Sequence, residues 1–288
     1  MDNEPALDGG AASNPFREDL LRGSAAIVTG GGTGIGRGIA TGLAACGAAV
    51  VVAGRRLDPL QAVEAELRAQ GAVARAMVCD VRDPASVEAL VTTAEDAVGP
   101  IDLLVNNAGA TFTVAAEDLS PNGFRAVVET DAFGTFYACQ SIGRRLIARG
   151  LPGAILNITS TSPYTGNPGR VHGGVGKAGV ESLTKSLAVE WGRFGIRVNA
   201  LAPGYTPTPG VDRATGLLGQ PDLARRASAS PLGRVGRIPD IMWPAVFLLS
   251  PGASYITGAS LVVDGATCLS TGRSFDRATA ERQDAAGS

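Results

Sequence analysis

The segment Thr29-Gly30-Gly31-Gly32-Thr33-Gly34-Ile35-Gly36 has the composition to hold a pyrophosphate. Glycines remove the Cβ atoms that would block close approach, so backbone N–H groups and the positive end of a following helix can meet phosphate oxygens. Gly30, Thr33, Gly34, Ile35 and Gly36 are therefore expected cofactor contacts. The next apolar run, Val50-Val51-Val52-Ala53-Gly54, ends in Arg55-Arg56. A carboxylate at this place suits the 2′-hydroxyl of NAD, and a cation suits the 2′-phosphate of NADP. The missing acid and the two guanidiniums predict NADP(H).

The elements that would position such a site can be read from periodicity. Ala25–Thr29, Ala49–Ala53, Ala74–Cys79, Leu103–Asn106, Ala154–Thr159, Arg197–Leu201 and Ser260–Val263 read as seven strands, most of them apolar on both faces. Strands of that kind belong to a parallel sheet covered on both sides. Between them, Gly36–Ala45, Pro59–Gln70, Pro84–Val98, Pro121–Arg149, about Val171–Phe194 and Pro239–Leu249 read as helices, several opened by a proline. The alternation predicts an α/β fold: one doubly wound, seven-stranded parallel sheet with helices on both faces, over residues 20–269. Residues 1–19 read as a flexible, acidic, small-residue extension, and residues 270–288 as a loose polar tail.

Composition narrows the function classes. The 288 residues carry 25 Lys+Arg against 27 Asp+Glu, a net charge of −2. Without a basic surplus there is nothing to neutralise a phosphate backbone, so a nucleic-acid partner is not expected. The longest uninterrupted apolar stretch, Ala48–Ala53, is six residues, far short of the ~20 that span a bilayer. The four cysteines, Cys46, Cys79, Cys139 and Cys268, are widely scattered and His172 is the single histidine. That pattern offers neither a disulfide framework nor a metal site. A cytoplasmic protein acting on a small molecule is expected.

Five motifs in order carry a resemblance. The Gly-rich turn, Asp80-Val81, Asn106-Asn107-Ala108-Gly109, Lys177-Ala178-Gly179-Val180 and Val198-Asn199-Ala200-Leu201-Ala202-Pro203-Gly204 together resemble the short-chain dehydrogenase/reductase family. The resemblance implies a single-domain Rossmann fold and a homotetramer. It also implies that Asp80 and Val81 contact the adenine, that Asn107, Ala108 and Gly109 form the central cofactor wall, and that Lys177 binds the nicotinamide ribose. Pro203, Gly204 and Thr206 would meet the nicotinamide amide.

The family's usual proton donor is a tyrosine four residues before the lysine, and here that place is Gly173. Ser160 matches the family's serine, and Asp131 stands where its relay asparagine would be. A ketone reduction must protonate the oxygen beside the attacked carbon, whereas hydride addition to a conjugated diene thioester spreads charge to a distant carbonyl and ends with the proton on carbon. Asn157-Ile158-Thr159, Val171-His172 and the run from Gly173 into Leu187-Ala188-Val189-Glu190-Trp191-Gly192 resemble 2,4-dienoyl-CoA reductases of the peroxisomal type. That resemblance implies NADPH-dependent reduction of a conjugated C=C in an acyl thioester, with Asp131 and Lys177 as the proton source. Tyr164, in the loop after Ser160, is a further candidate donor, and Phe112, Ser120, Asn122, Arg213 and Arg55 would face the substrate. An enone- or imine-acting biosynthetic enzyme, one using NADP(H) without net redox, and a nucleotide-binding non-enzyme remain alternative readings. The segment from Gly204 to Gly236 reads as the substrate lid.

Overall fold

The computed structural model describes residues 14–208, 210–211 and 223–270. Its centre is a seven-stranded sheet of β1 (Ala25–Thr29), β2 (Ala49–Gly54), β3 (Ala74–Val78), β4 (Leu103–Asn106), β5 (Gly153–Ile158), β6 (Ile196–Pro203) and β7 (Ser260–Val263). The strands lie in the order β3-β2-β1-β4-β5-β6-β7, and each neighbouring pair is parallel. Every strand expected from the sequence is present, with ends that coincide or differ by one or two residues.

The apolar runs are buried on both faces because each face is covered by helices. Alternation along β1 divides the core: Ala26 and Val28 pack against one helical layer, Ala25 and Ile27 against the other. The first layer holds α1 (Gly34–Ala45), α2 (Leu57–Ala69) and α9 (Ile238–Leu249); the second holds α3 (Pro84–Val98), α5 (Gly134–Arg149) and α7 (Val171–Trp191). Burial of this kind contributes roughly 25 cal/mol per Å² of apolar surface and is the main term holding the layers together. The chain reverses its strand order between β1 and β4, so the ends of these strands frame the crevice where doubly wound folds take ligands.

Two differences from the sequence reading matter. The helix expected over Pro121–Arg149 is interrupted: α4 (Pro121–Val128) and α5 flank a π-helical turn over Glu129–Phe133. Such wide turns recur at functional sites because the extra residue redirects side chains. The second difference is at the expected boundary near residue 19. Asn14 Nδ2 donates to the Ala45 carbonyl at 3.2 Å, and the Phe16 ring meets Trp243 edge-on at 6.0 Å between centroids. Residues 14–19 thus lie against the domain, because Phe16 finds an apolar partner. Of the lid segment, residues 209 and 212–222 lie outside the described residues, as do 1–13 and the tail 271–288. Among the described residues no helix is long and apolar enough to cross a membrane.

A close helix contact sets the spacing of the second layer. A Cβ at Gly143 on α5 would lie 2.6 Å from the Trp191 ring of α7. Gly143→Ala is expected to lower stability by about 1–3 kcal/mol, the usual cost of overpacking, read from the midpoint of denaturant unfolding. An unchanged midpoint would show that the two helices separate freely.

Candidate active site and cofactor cleft

The turn after β1 can only be built from glycine at its key points. Gly30 and Gly34 have φ of +65° and +56°, the left-handed region where a Cβ is strained. At Gly36 a Cβ would come within 2.3 Å of Asn107 Nδ2 and 2.4 Å of the Gly30 carbonyl oxygen. Asn107 bridges this turn to β4, its Nδ2 donating to the carbonyls of Thr29 at 3.0 Å and Gly30 at 3.2 Å. Thr29 Oγ1 in turn accepts from the Asn107 and Ala108 amides at 3.0 and 3.1 Å. Thr33 caps α1 with backbone alone, making no side-chain hydrogen bond to the helix end, and no acid stands in the first turn. An uncapped, acid-free helix start behind a glycine turn suits an incoming pyrophosphate. The residues therefore fit a dinucleotide.

Ends of the next strands line the rest of the cleft. Arg55 and Arg56 are exposed after β2, Arg56 being the residue that precedes α2. Asp80, after β3, is held by Arg82, whose guanidinium hydrogen bond pulls the carboxyl down to about 2 despite its partial desolvation. Val81 is buried and packs where Gly134 leaves room, since a Cβ there would fall 2.7 Å from Val81 Cγ2. At β6, Pro203 and Gly204 are half-buried and Thr206 is buried, its Oγ1 donating to the Gly204 carbonyl at 3.3 Å.

Asp131 and Lys177 meet at the floor of this cleft. The π turn carries Asp131, which is 2% exposed; its Oδ1 accepts from the Ala110 amide at 2.9 Å and its Oδ2 lies 3.6 Å from Lys177 Nζ. Lys177 Nζ also donates to the Ile158 carbonyl at 3.0 Å. α7 is held in rotation by a buried polar chain: Asn106 Nδ2 donates to Asn157 Oδ1, and Asn157 Nδ2 donates to Thr184 Oγ1, each at 2.9 Å. Thr184 is seven residues after Lys177, two helical turns on the same face, so fixing it aims the lysine at the end of β5. Small residues admit the pair. A Cβ at Gly176 would stand 3.0 Å from Asp131 Cβ, and one at Gly109 would lie 3.2 Å from Asp131 Oδ1 and 3.3 Å from Lys177 Nζ.

Gly173 is buried one turn before Lys177, and the atom its missing Cβ would meet is Thr111 Oγ1, at 3.2 Å. That hydroxyl is itself buried without a hydrogen-bond partner. Next to it His172 is fully buried, both ring nitrogens lack partners, and its ring stacks on Phe112 at 4.3 Å. Burial pushes the imidazole below its ordinary range, toward the neutral form. Phe112 also reaches the start of α4, within 3.0 Å of where a Gly123 Cβ would be. There Ser120 caps the helix, its Oγ accepting from the Gly123 amide at 3.1 Å, while Asn122 is exposed. Arg213 lies outside the described residues.

Ser160 is half-buried at the end of β5, its Oγ accepting from the Ser162 amide at 3.3 Å. Tyr164, in α6 (Ser162–Thr165), is half-exposed and its hydroxyl donates to Ser260 Oγ at 2.9 Å, which donates on to Glu181 Oε1 at 2.8 Å. Asp131, Lys177, Gly173 and the cofactor-turn residues are thus gathered, while the Tyr164 hydroxyl is engaged with β7. Sequence reasoning missed Thr29, Ala110, Thr111, the Ile158 carbonyl and Gly176. For the backbone groups no residue type could have signalled the role.

Comparison with known proteins gives the following. The family described as enoyl-(acyl carrier protein) reductase matches residues 30–266. A peroxisomal 2,4-dienoyl-CoA reductase (the (3E)-enoyl-CoA-producing type) of Arabidopsis thaliana is 37% identical over 270 residues, covering 90% of this chain and 89% of its own. The gluconate 5-dehydrogenase of Gluconobacter oxydans is 37% identical over 251 residues, covering 87% and 96%. Among solved structures, a short-chain type dehydrogenase/reductase from Mycobacterium marinum superposes with a TM-score of 0.81 at 35% identity, covering 86% of this chain and 98% of that one.

The Ser260 contact generates a test of Tyr164. Tyr164→Phe removes a hydroxyl already committed to β7, so turnover is expected to fall less than about threefold. A loss of about 10²-fold, the range of a general acid, would make Tyr164 the donor.

Proposed function

The chain is an oxidoreductase of the short-chain dehydrogenase/reductase family, and on that footing we propose that it uses NADPH to reduce a conjugated C=C bond in an acyl thioester. The observation that carries this reading is Gly173 beside the Asp131–Lys177 pair: the place from which a phenol would project holds no acid, and a carboxylate stands 3.6 Å from the lysine instead. The dienoyl-CoA reductase named among the relatives supports the same chemistry.

The residues that would hold the dinucleotide are those of the β1–α1 turn, Asp80, Val81, the Asn107–Gly109 wall, Lys177 and the Pro203–Thr206 loop. Bound there, a dihydronicotinamide supplies a hydride. The chain supplies the rest. When negative charge is spread from the far end of a diene to the thioester oxygen, no alkoxide forms beside the attacked carbon and no phenol is needed there. A proton must reach carbon, and in this reading the Asp131 carboxyl, held by the Ala110 amide and Lys177, delivers it. Gly173, one turn before Lys177, puts no side chain against Thr111, and in this reading the acyl chain lies there. Arg55 and Arg56, exposed after β2 with Arg55 within electrostatic reach of Asp80, would take the 2′-phosphate. Assembly as a homotetramer belongs to the same proposal; Phe133, 51% exposed, and Val175, 47% exposed, offer apolar surface for it.

Mixing the protein with NADPH and 2,4-hexadienoyl-CoA is expected to bleach the nicotinamide absorbance, and Asp131→Ala to lower kcat by about 10²-fold or more. No bleaching with any dienoyl thioester rejects the reading, and a loss under about threefold leaves Asp131 a structural residue. For the cofactor, Arg55→Ala with Arg56→Ala is expected to raise KM for NADPH about tenfold or more, the scale of lost charge-assisted contacts, with KM for NADH unchanged. Equal effects on both would remove the 2′-phosphate assignment.

A further inference from the structure

Two arginines stand on segments beside this site. Arg170 immediately precedes α7, three positions ahead of Gly173, and its loop is tied to the segment after β4 by the Val114 amide donating to the Gly169 carbonyl at 3.0 Å. Arg226 comes from α8 (Leu223–Ser228) and lays its guanidinium over the Tyr205 ring, 4.0 Å from the centroid, beside the Pro203–Thr206 loop. One arginine thus approaches from the β4 and β5 side of the mouth and the other from the β6 side. Arg226 Nε is buried without a hydrogen-bond partner.

Among the described residues neither arginine forms an ion pair. Asp240 and Asp264 line the cavity of about 280 Å³ that Arg226 also borders; Asp240 pairs with Arg234 at 2.5 Å, and Asp264 accepts from the Cys268 amide at 2.7 Å. Glu181 is turned to Ser260. α7 adds the positive end of a 21-residue helix, with no side-chain cap at Arg170. Burial and the charge of Arg226 together push Arg170 below its ordinary guanidinium range. Like charges held half out of water repel, and an anion arriving between them removes that repulsion.

We propose that Arg170 and Arg226 bind the phosphoryl group of the phosphopantetheine arm on the incoming acyl thioester, a proposal that rests on the thioester reading above. With the acyl chain at Gly173, the arm leaves between the loops after β4 and β6 and passes both guanidiniums. Their planar forks match phosphate oxygens two at a time. CoA and acyl carrier protein share this phosphoryl group, so the chemistry is common to both carriers.

The test compares the 2,4-hexadienoyl thioesters of CoA, of phosphopantetheinylated acyl carrier protein and of N-acetylcysteamine, which has no phosphate, in the wild type and in Arg170→Gln/Arg226→Gln. KM for the first two is expected to rise about tenfold or more, the scale of lost hydrogen bonds to a charged group, with kcat within about twofold and KM for N-acetylcysteamine unchanged. Arg170→Lys/Arg226→Lys should restore part of the loss if charge is what matters. Equal changes for all three carriers, or none for CoA, overturn the proposal. A rise confined to CoA overturns the phosphopantetheine assignment and moves the contact to the nucleotide's own phosphates. Calorimetric titration of CoA into the NADP-loaded proteins reads the anion site without turnover. Loss of CoA binding in the double Gln variant supports the site, and equal binding removes it. Failure of the wild type to reduce any of the thioesters sinks the reductase reading alone.

Discussion

A carboxylate and an ammonium 3.6 Å apart, the carboxylate almost wholly removed from water, are the constraint around which this molecule is arranged. Taking such charges out of solvent is costly, and their attraction offsets that cost only when the remaining lone pairs and protons find partners. The Ala110 amide and the Ile158 carbonyl supply those partners, one from the loop after β4 and one from the end of β5. Three separate elements must therefore arrive together: the π turn with Asp131, α7 with Lys177, and the two strand ends. The buried Asn106–Asn157–Thr184 chain and the small residues Gly109, Gly134 and Gly176 make that convergence possible.

The proposed function follows from what this convergence omits. A parallel sheet delivers its strand ends, and hence its loops, to one edge, where the glycine turn of β1 and the bridge through Asn107 build a cradle for a pyrophosphate. Opposite that cradle, α7 presents Lys177 but only Gly173 one turn earlier, facing the unpartnered Thr111 hydroxyl. A ketone's developing alkoxide would find no phenol there. A conjugated thioester needs none, because its charge comes to rest away from the carbon that receives hydride.

Much of this was legible in the sequence, and the reason is periodicity. The runs at Ala25, Ala49 and Leu103 are apolar on both faces for most of their length, which calls for a two-sided cover and with it the parallel sheet. The glycine turn was legible because left-handed backbone and close approach leave few other residues possible at Gly30, Gly34 and Gly36. The π turn was not, since Glu129–Phe133 reads as ordinary helix and its extra residue is decided by what Asp131 reaches in three dimensions. The packing of residues 14–19 was hidden for a similar reason: Phe16 is followed by the charged run Arg17-Glu18-Asp19, and its partner Trp243 lies on α9. Tyr164 could be named as a candidate from its place in the loop, but its partner Ser260 is 96 residues away.

The most direct measurement follows the two hydrogens separately. Turnover of a dienoyl thioester with NADPH in deuterium oxide, with the product examined by NMR and mass spectrometry, should put unlabelled hydrogen from the cofactor on one carbon of the former diene and one solvent deuterium on another, leaving the thioester carbonyl intact. A product alcohol, carrying cofactor hydrogen on a carbinol carbon, would contradict the account.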